Sequence, residues 1–340
     1  MAEDMKGKIQ VYCRARPLSR SEKERGNVSV LKSPDDKSIT VDSSSGPKPF
    51  TFDKVFMENS TQEQIFKDTE NLIKSAVDGS NVCIFAFGGS GSGKTFTMIG
   101  DGALEFPGIA PRAFKRIFEL AEDLRSKFTI TVTAYMMELY YDTFIDLFAE
   151  RKSSGDKKMK IKKDENGMVF IEGSCVKEAH SADELNAFFE SGRDNRYGAT
   201  TMMNAESSRS HLITGIMIES VDKSTGQVIK GKLSLVDLAA RYGRQMARSV
   251  TSVQAKEALH INKSLSALEE VFVALTNGKF IPYRINRLTF LLQDSLGGNA
   301  KTLMFVNISP ADEIQDETIC SLMYASRAKK IPDDASKNAA

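Results

Sequence analysis

Residues 81–98 read NVCIFAFGGSGSGKTFTM, and this stretch decides the fold. Its first seven residues form a continuous apolar run, as a strand buried on both faces would. GGSGSGKT (88–95) then matches G-x-x-x-x-G-K-[ST] in full, and KTFTM can open a helix. The chemistry explains the spacing. Gly88, Gly89, Gly91 and Gly93, with Ser90 and Ser92 between them, let backbone N–H groups wrap phosphates without Cβ clashes. Lys94 supplies a point charge to the β- and γ-phosphates, and Thr95 Oγ1 can ligate Mg²⁺. The first helical turn, through Phe96, adds its positive dipole end. A flexible glycine-serine turn is the competing interpretation. A chance match in a chain this long is on the order of one in a hundred, and the preceding strand argues against it. The motif alone does not choose ATP over GTP.

Other apolar runs extend the pattern outward. KIQVYCRAR (8–16) alternates as a strand, and TITVTAYMMELY (129–140), GKLSLVDL (231–238) and KTLMFVNIS (301–309) read as further strands. The clearest helix is predicted over 254–277, where Ala258, Ile261, Leu265, Leu268, Phe272 and Leu275 make one apolar stripe. Asn277-Gly278 supplies its stop. KMKIKKDENGMVFIE (158–172) predicts a hairpin turning at Asn166-Gly167. Strands alternating with helices imply an α/β, P-loop NTPase-like three-layer domain with a central, mostly parallel mixed sheet. A single domain over 1–331 with a polar, frayed tail at 332–340 is expected.

Bulk composition narrows the classes. The chain has 340 residues, is 41% hydrophobic and 27% charged, and carries a net charge of +1, so no global polyelectrolyte partner is implied. Its four cysteines are scattered without a CxxC pair, which disfavours a zinc site or disulfide framework and suits a reducing compartment. Three separated histidines argue against a metal cluster. No apolar stretch is long enough for a membrane span, and MAEDMKGK is no signal peptide.

A P-loop needs a second carboxylate near the metal, and Asp237 closes the strand LSLVD. A surface aspartate that merely ends a strand is the bland alternative. NAESSRSH (204–211) concentrates hydroxyls, an amide and an arginine that can contact Mg²⁺, the γ-phosphate and a lytic water. Lys94, Thr95, Ser208, Arg209 and Asp237 are the candidate catalytic residues, with Thr95, Ser208 and Asp237 on the metal side.

These three elements in one order resemble the kinesin motor domain, and the resemblance covers nearly the whole chain. CRARP (13–17), YMMELYYDTFIDLF (135–148), HINKSLSAL (260–268), IPYR (281–284) and LQDSLGGNAKT (292–302) stand at the family's places. MAEDMKGKIQVYCRARPL further resembles kinesins with a C-terminal motor that walk toward microtubule minus ends (the kinesin-14 type). IKKDENGMV, SAVDGSNVCIFAFG and DETICSLMYASR look most like the calmodulin-regulated plant and algal member of that group. There the calmodulin-binding helix follows the motor, so calmodulin is expected to bind only a longer chain. The resemblance implies that Arg14, Arg16 and Pro17 flank the adenine of ATP or ADP. It implies that Gly88 to Thr95 wrap the phosphates and that Asn204, Ser207 and Ser208 coordinate the γ-phosphate and Mg²⁺ side. Asp237 would reach the Mg²⁺ shell through water.

The chain also departs from the family. Phe87, Gly89 and Ser90 stand for the usual Tyr, Gln and Thr; Glu269 replaces a usual glycine, and Ile285 a polar residue. The family's D-L-A-G-S-E-R becomes Asp237, Leu238, Ala239, Ala240, Arg241, Tyr242, Gly243, Arg244. Ala240 keeps the N–H that the family glycine gives the γ-phosphate but lacks glycine's freedom at positive φ. Tyr242 cannot accept a charge-assisted bond from Arg209 as the family glutamate does. Losing a positioned proton acceptor typically slows a reaction by about 10²–10⁴. Slow hydrolysis and poor coupling are therefore expected.

Three basic segments are expected to meet an acidic filament: Arg241–Lys263, Lys279–Lys301 and Arg151–Lys163. A solvated charged face is the ordinary explanation for any single run. Nucleic acid is disfavoured because no interleaved aromatics accompany the lysines. Two readings stand: an ATP-driven microtubule motor, cytoplasmic and associated with the cytoskeleton, or a nucleotide-binding, hydrolysis-defective microtubule-binding protein. A P-loop enzyme with no filament partner leaves the long helix and basic segments unexplained.

Overall fold

The computed structural model describes residues 9–101, 105–149, 159–200, 207–241, 252–278, 280–297 and 299–332. The first strands are β1 (Ile9–Ala15), β2 (Leu31–Lys32), β3 (Ser38–Val41), β4 (Lys48–Thr51) and β5 (Lys54–Phe56). Next come β6 (Asn81–Gly88), β7 (Phe128–Tyr140), β8 (Thr143–Asp146), β9 (Lys160–Lys163), β10 (Val169–Glu172) and β11 (Lys177–Ala179). The last are β12 (His211–Asp222), β13 (Val228–Asp237) and β14 (Lys301–Ile308). The α-helices are α1 (Arg20–Glu24), α2 (Gln62–Val77), α3 (Lys94–Met98) and α4 (Ile109–Leu124), then α5 (Ala182–Thr200), α6 (Ser252–Thr276), α7 (Arg287–Leu291) and α8 (Gln315–Ala328).

The central sheet runs β11-β7-β12-β13-β6-β14-β1-β5, with β8 pairing β7 at the side. Every apolar run read as a strand lies in it. The sheet is mixed by halves. β13, β6, β14, β1 and β5 pair in parallel, whereas β12 joins β13 and β7 antiparallel. Parallel pairing therefore holds the nucleotide half and does not predominate across the whole sheet. The cause is a short loop between β12 and β13, around Thr225-Gly226, which leaves no room for a crossover helix.

Strand alternation fills two cores. On β6, Cys83, Phe85 and Phe87 face α6, α7 and α8, while Val82, Ile84 and Ala86 face α2, α4 and α5. Both sides of the strand are dry, which is why its sequence reads as one apolar run. The α6 stripe is buried as its period predicts, with Leu268 and Phe272 fully covered. α2 starts at a capping box, Thr61 with Gln64, and ends where Asp78-Gly79 follow.

The hairpin of β9 and β10 forms at the predicted place. Its five-residue turn is built by Asp164, which holds Gly167 N–H and Met168 N–H, with Gly167 at φ +79°. Lys232 pins it from the sheet: Nζ donates to Val169 O at 2.7 Å and to Asp294 Oδ2 at 2.9 Å, and Val169 N–H donates to the same carboxylate.

Candidate functional site

The carboxyl ends of β1, β6, β13 and β14 converge, and open α/β sheets bind ligands at such an edge. β6 runs straight into the glycine loop. Gly91 and Gly93 sit at φ +67° and +95°, where a side chain is strained. A Cβ on Gly88 would lie 2.2 Å from Asn307 O, so only glycine fits beneath β14. Gly93 then caps α3, whose first residue is Lys94.

Lys94 is buried. Its Nζ donates to Gly89 O at 2.9 Å and Gly88 O at 3.2 Å. Burial pushes its pKa down to about 8, although Asp237 and Glu317 pull the other way. Among the described residues, carbonyl oxygens are the hydrogen-bond partners of this ammonium, so an anion in the loop would find an underpaired cation.

Thr95 Oγ1 donates to Asp237 Oδ2 at 2.7 Å. Asp237 is 5% exposed, and its Oδ1 is buried with no hydrogen-bond partner among the described residues. A buried, orphaned carboxylate oxygen beside a threonine hydroxyl is the kind of oxygen donor pair that a hard cation takes, so these two residues fit Mg²⁺. The register explains the meeting. Asp237 lies opposite Ala86 of β6 and Leu212 of β12, which sets it between the glycine loop and the SSRSH segment.

The segment after Asp237 stays tied to both. Leu238 N–H donates to Ala86 O, Arg241 N–H to Gly88 O, and Ala240 N–H to Ser208 O at 2.8 Å. Ser207–Arg209 form a 3₁₀ turn. Ala240 is fully buried and has no positive φ, so alanine is unstrained here. Behind the turn, Arg196 bonds Glu138 Oε1 at 3.2 Å and Ser210 O at 3.0 Å, and Ser210 Oγ donates to Glu138. Asn204, Tyr242 and the run 242–251 lie outside the described residues, as does the side chain of Ser207. The expected loss of an Arg209 partner at Tyr242 lies there too.

The expected adenine side is organised by two arginines with different jobs. Arg14 points inward: Nη1 bonds Gln62 Oε1 at 2.8 Å and Thr97 Oγ1 at 2.9 Å, and the guanidinium lies over the Phe96 ring. It braces α3. Arg16 Nε donates to Gly91 O at 2.6 Å, and its other nitrogens clasp Glu22. Arg16 and then Ser19 hold the Glu22 carboxyl down at about 2. Pro17 is exposed beside them.

Sequence reasoning missed Asn307, Glu22 and His211. Asn307 Nδ2 bonds Thr97 Oγ1 at 2.7 Å and so holds α3 to β14. It was visible as the lone amide in LMFVNI. Glu22 completes a capping box with Ser19, and S-x-x-E announces that. His211 closes the quoted NAESSRSH, but nothing local gives it a partner.

The basic segments divide. Lys160, Lys162, Lys163, Lys263, Arg284 and Arg287 are exposed. Lys301 corrects the expectation for its segment: it is 8% exposed and donates to Ser75 Oγ, because it opens a strand whose every residue is buried. Lys279 and residues 150–158 lie outside the described residues. Among the described residues, no helix is long and apolar enough to cross a membrane, and no three His, Cys, Asp or Glu side chains group so as to hold a metal ion.

Comparison with known proteins agrees with this geometry. The kinesin motor domain family model matches residues 14–331. Kinesin-like protein KIN-14E of Arabidopsis thaliana is 48% identical over 340 residues, which is 99% of this chain and 26% of that protein. Kinesin-like protein KIN-14I of Oryza sativa subsp. japonica is 48% identical over 342 residues, 99% of this chain and 27% of that protein. The chain thus spans about a quarter of the length of these curated relatives. A solved structure, "Structure of a fast kinesin: Implications for ATPase mechanism and interactions with microtubules", superposes with a TM-score of 0.89. It is 35% identical and covers 96% of this chain and 93% of that chain.

Proposed function

The chain belongs to the kinesin motor domain family, and from that premise we propose that it binds and hydrolyses MgATP to move along microtubules toward their minus ends. The observation that carries this reading is the Thr95–Asp237 contact with its orphaned Asp237 oxygen, beside an underpaired Lys94. Gly88 to Thr95 wrap the phosphates. Thr95, Ser208 and Asp237 would hold Mg²⁺, which when bound neutralises charge on the β- and γ-phosphates. Arg16 and Pro17 border the adenine, with Arg14 acting through Phe96. By the family's pattern, Arg209, Ser207 and Asn204 are assigned to the γ-phosphate. Exposed Lys160, Lys162, Lys163, Lys263, Arg284 and Arg287 meet the filament.

A second reading, nucleotide binding with defective hydrolysis, is favoured by one contact. The Ala240 N–H that would serve the γ-phosphate is committed to Ser208 O. Breaking that bond costs about 1 kcal/mol.

Co-sedimentation with microtubules, with and without MgATP, combined with phosphate release, tests both readings. A motor pellets without nucleotide, leaves the filament with MgATP and releases phosphate continuously. Pelleting that ignores MgATP, with no phosphate beyond background, supports the defective binder. A chain that never pellets overturns both.

A further inference from the structure

His211 opens β12 and is 3% exposed. Its ring is held at both nitrogens. Nδ1 lies 3.0 Å from the backbone N of Ala239, and Nε2 lies 2.8 Å from Ser264 Oγ on α6. Ser264 Oγ in turn lies 2.8 Å from Ile261 O. A backbone N–H only donates, so Nδ1 accepts and the ring proton sits on Nε2. A backbone carbonyl only accepts, so the Ser264 hydroxyl donates to Ile261 and receives from Nε2. One proton arrangement satisfies all three links. Burial agrees: desolvation first, then Arg196 and Lys94, push the imidazole pKa down to about 3, so the ring is neutral.

What this ring joins is the telling point. Ala239 stands two residues after Asp237 and directly before Ala240, whose N–H holds Ser208 O. Ser264 sits on the inner face of α6, next to exposed Lys263. Ala239 is fully buried and Ser264 is 4% exposed, so no water competes for these bonds. A shift of Ala239 must carry the ring and the serine with it, or leave buried donors unpaired, which the dry surroundings penalise.

We propose that His211 is a positioning residue, a two-sided relay that ties the segment after Asp237 to α6 so that nucleotide state and the filament-facing helix move together. The relay rests on the motor reading above. His211 touches neither nucleotide nor metal ligand; it acts through Ala239 on one side and Ser264 on the other.

The test uses H211Q, H211N and S264A in the full chain. Glutamine or asparagine can serve one side of the ring but not both, and S264A removes the helix end. The probe is a fluorescent ADP. Its affinity off the filament and its release rate with and without microtubules are measured, along with Tm. The expected result is affinity within about twofold of the unsubstituted chain, while microtubule acceleration of ADP release falls about fivefold or more. H211Q/S264A should be no worse than the weaker single variant, since both cut one path. A purely structural His211 lowers Tm and leaves the acceleration factor intact, which overturns the relay, as does an additive double variant. Should the His211 variants fail to fold, S264A decides, and unchanged acceleration in it overturns the proposal. An unsubstituted chain that microtubules do not accelerate brings down the motor reading and the relay together. Acceleration preserved in every variant brings down the relay alone.

Discussion

Two lysines lie toward opposite edges of the parallel half of the sheet, and both are almost sealed from water. Lys94 is 6% exposed and opens α3, past the carboxyl end of β6, and Lys232 is 2% exposed midway along β13, opposite Asn81 at the start of β6. Lys232 has a carboxylate at 2.9 Å and a carbonyl at 2.7 Å. Burial works against its charge, yet Tyr135 and Asp294 more than offset burial, and its pKa rises. Among the described residues Lys94 bonds only carbonyls, its acidic neighbours do not compensate, and its pKa falls to about 8. The same side chain is structural where its charge is matched and available where it is not. An unmatched buried cation at the end of a glycine loop is the signature of a site that expects an anion.

The largest way to break the contrast is Lys232→Met. It strands Asp294 as an unpaired buried charge and releases the carbonyl of Val169. The chain should lose about 3–5 kcal/mol in urea unfolding, and adding Asp294→Asn should recover most of it. MgADP affinity of the folded variant should not change, because the pair lies at the far end of the sheet. An affinity loss that persists in the folded fraction would erase the division of labour.

The smallest effect sharpens the contrast on the surface. Lys162 pairs with Glu172 across the β9–β10 hairpin, and both are roughly half exposed. Lys162→Ala should change stability by less than about 1 kcal/mol. On the proposed reading, in which the hairpin pinned by Lys232 presents this charge to the filament, it should weaken microtubule binding at low salt and flatten its salt dependence. Unaltered binding would show that the hairpin faces elsewhere.

Local chemistry was readable. The apolar run 81–87, the glycine spacing and the α6 stripe each follow from short-range rules and stand where expected. The antiparallel half of the sheet was not readable, because strand direction depends on how β7, β12 and β13 stack, not on their composition. Charge was the poorest guide. Lys301 counts as basic surface in sequence yet is buried against Ser75, 226 residues away in the chain. Lys232 and Asp294 find each other across 62 residues, and His211 meets Ser264 across 53. Such pairings are decided by the sheet order. Glu269, odd in sequence beside the family glycine, has a plain explanation in its ion pair with Arg327 of α8. Phe87 likewise stacks on Tyr324, with ring centroids 3.9 Å apart.

The most direct measurement is calorimetric titration of MgADP into the unsubstituted chain at pH 7 and pH 9.5. Lys94, with its pKa lowered to about 8, is charged in the free chain below that pH and loses its proton above it. Binding at pH 9.5 must then recruit a proton, and each pKa unit is about 1.4 kcal/mol. The account predicts saturable heat at pH 7, an affinity about thirtyfold weaker at pH 9.5, and proton uptake on binding at the higher pH. No heat at millimolar MgADP, or an affinity indifferent to pH across this range, would contradict it.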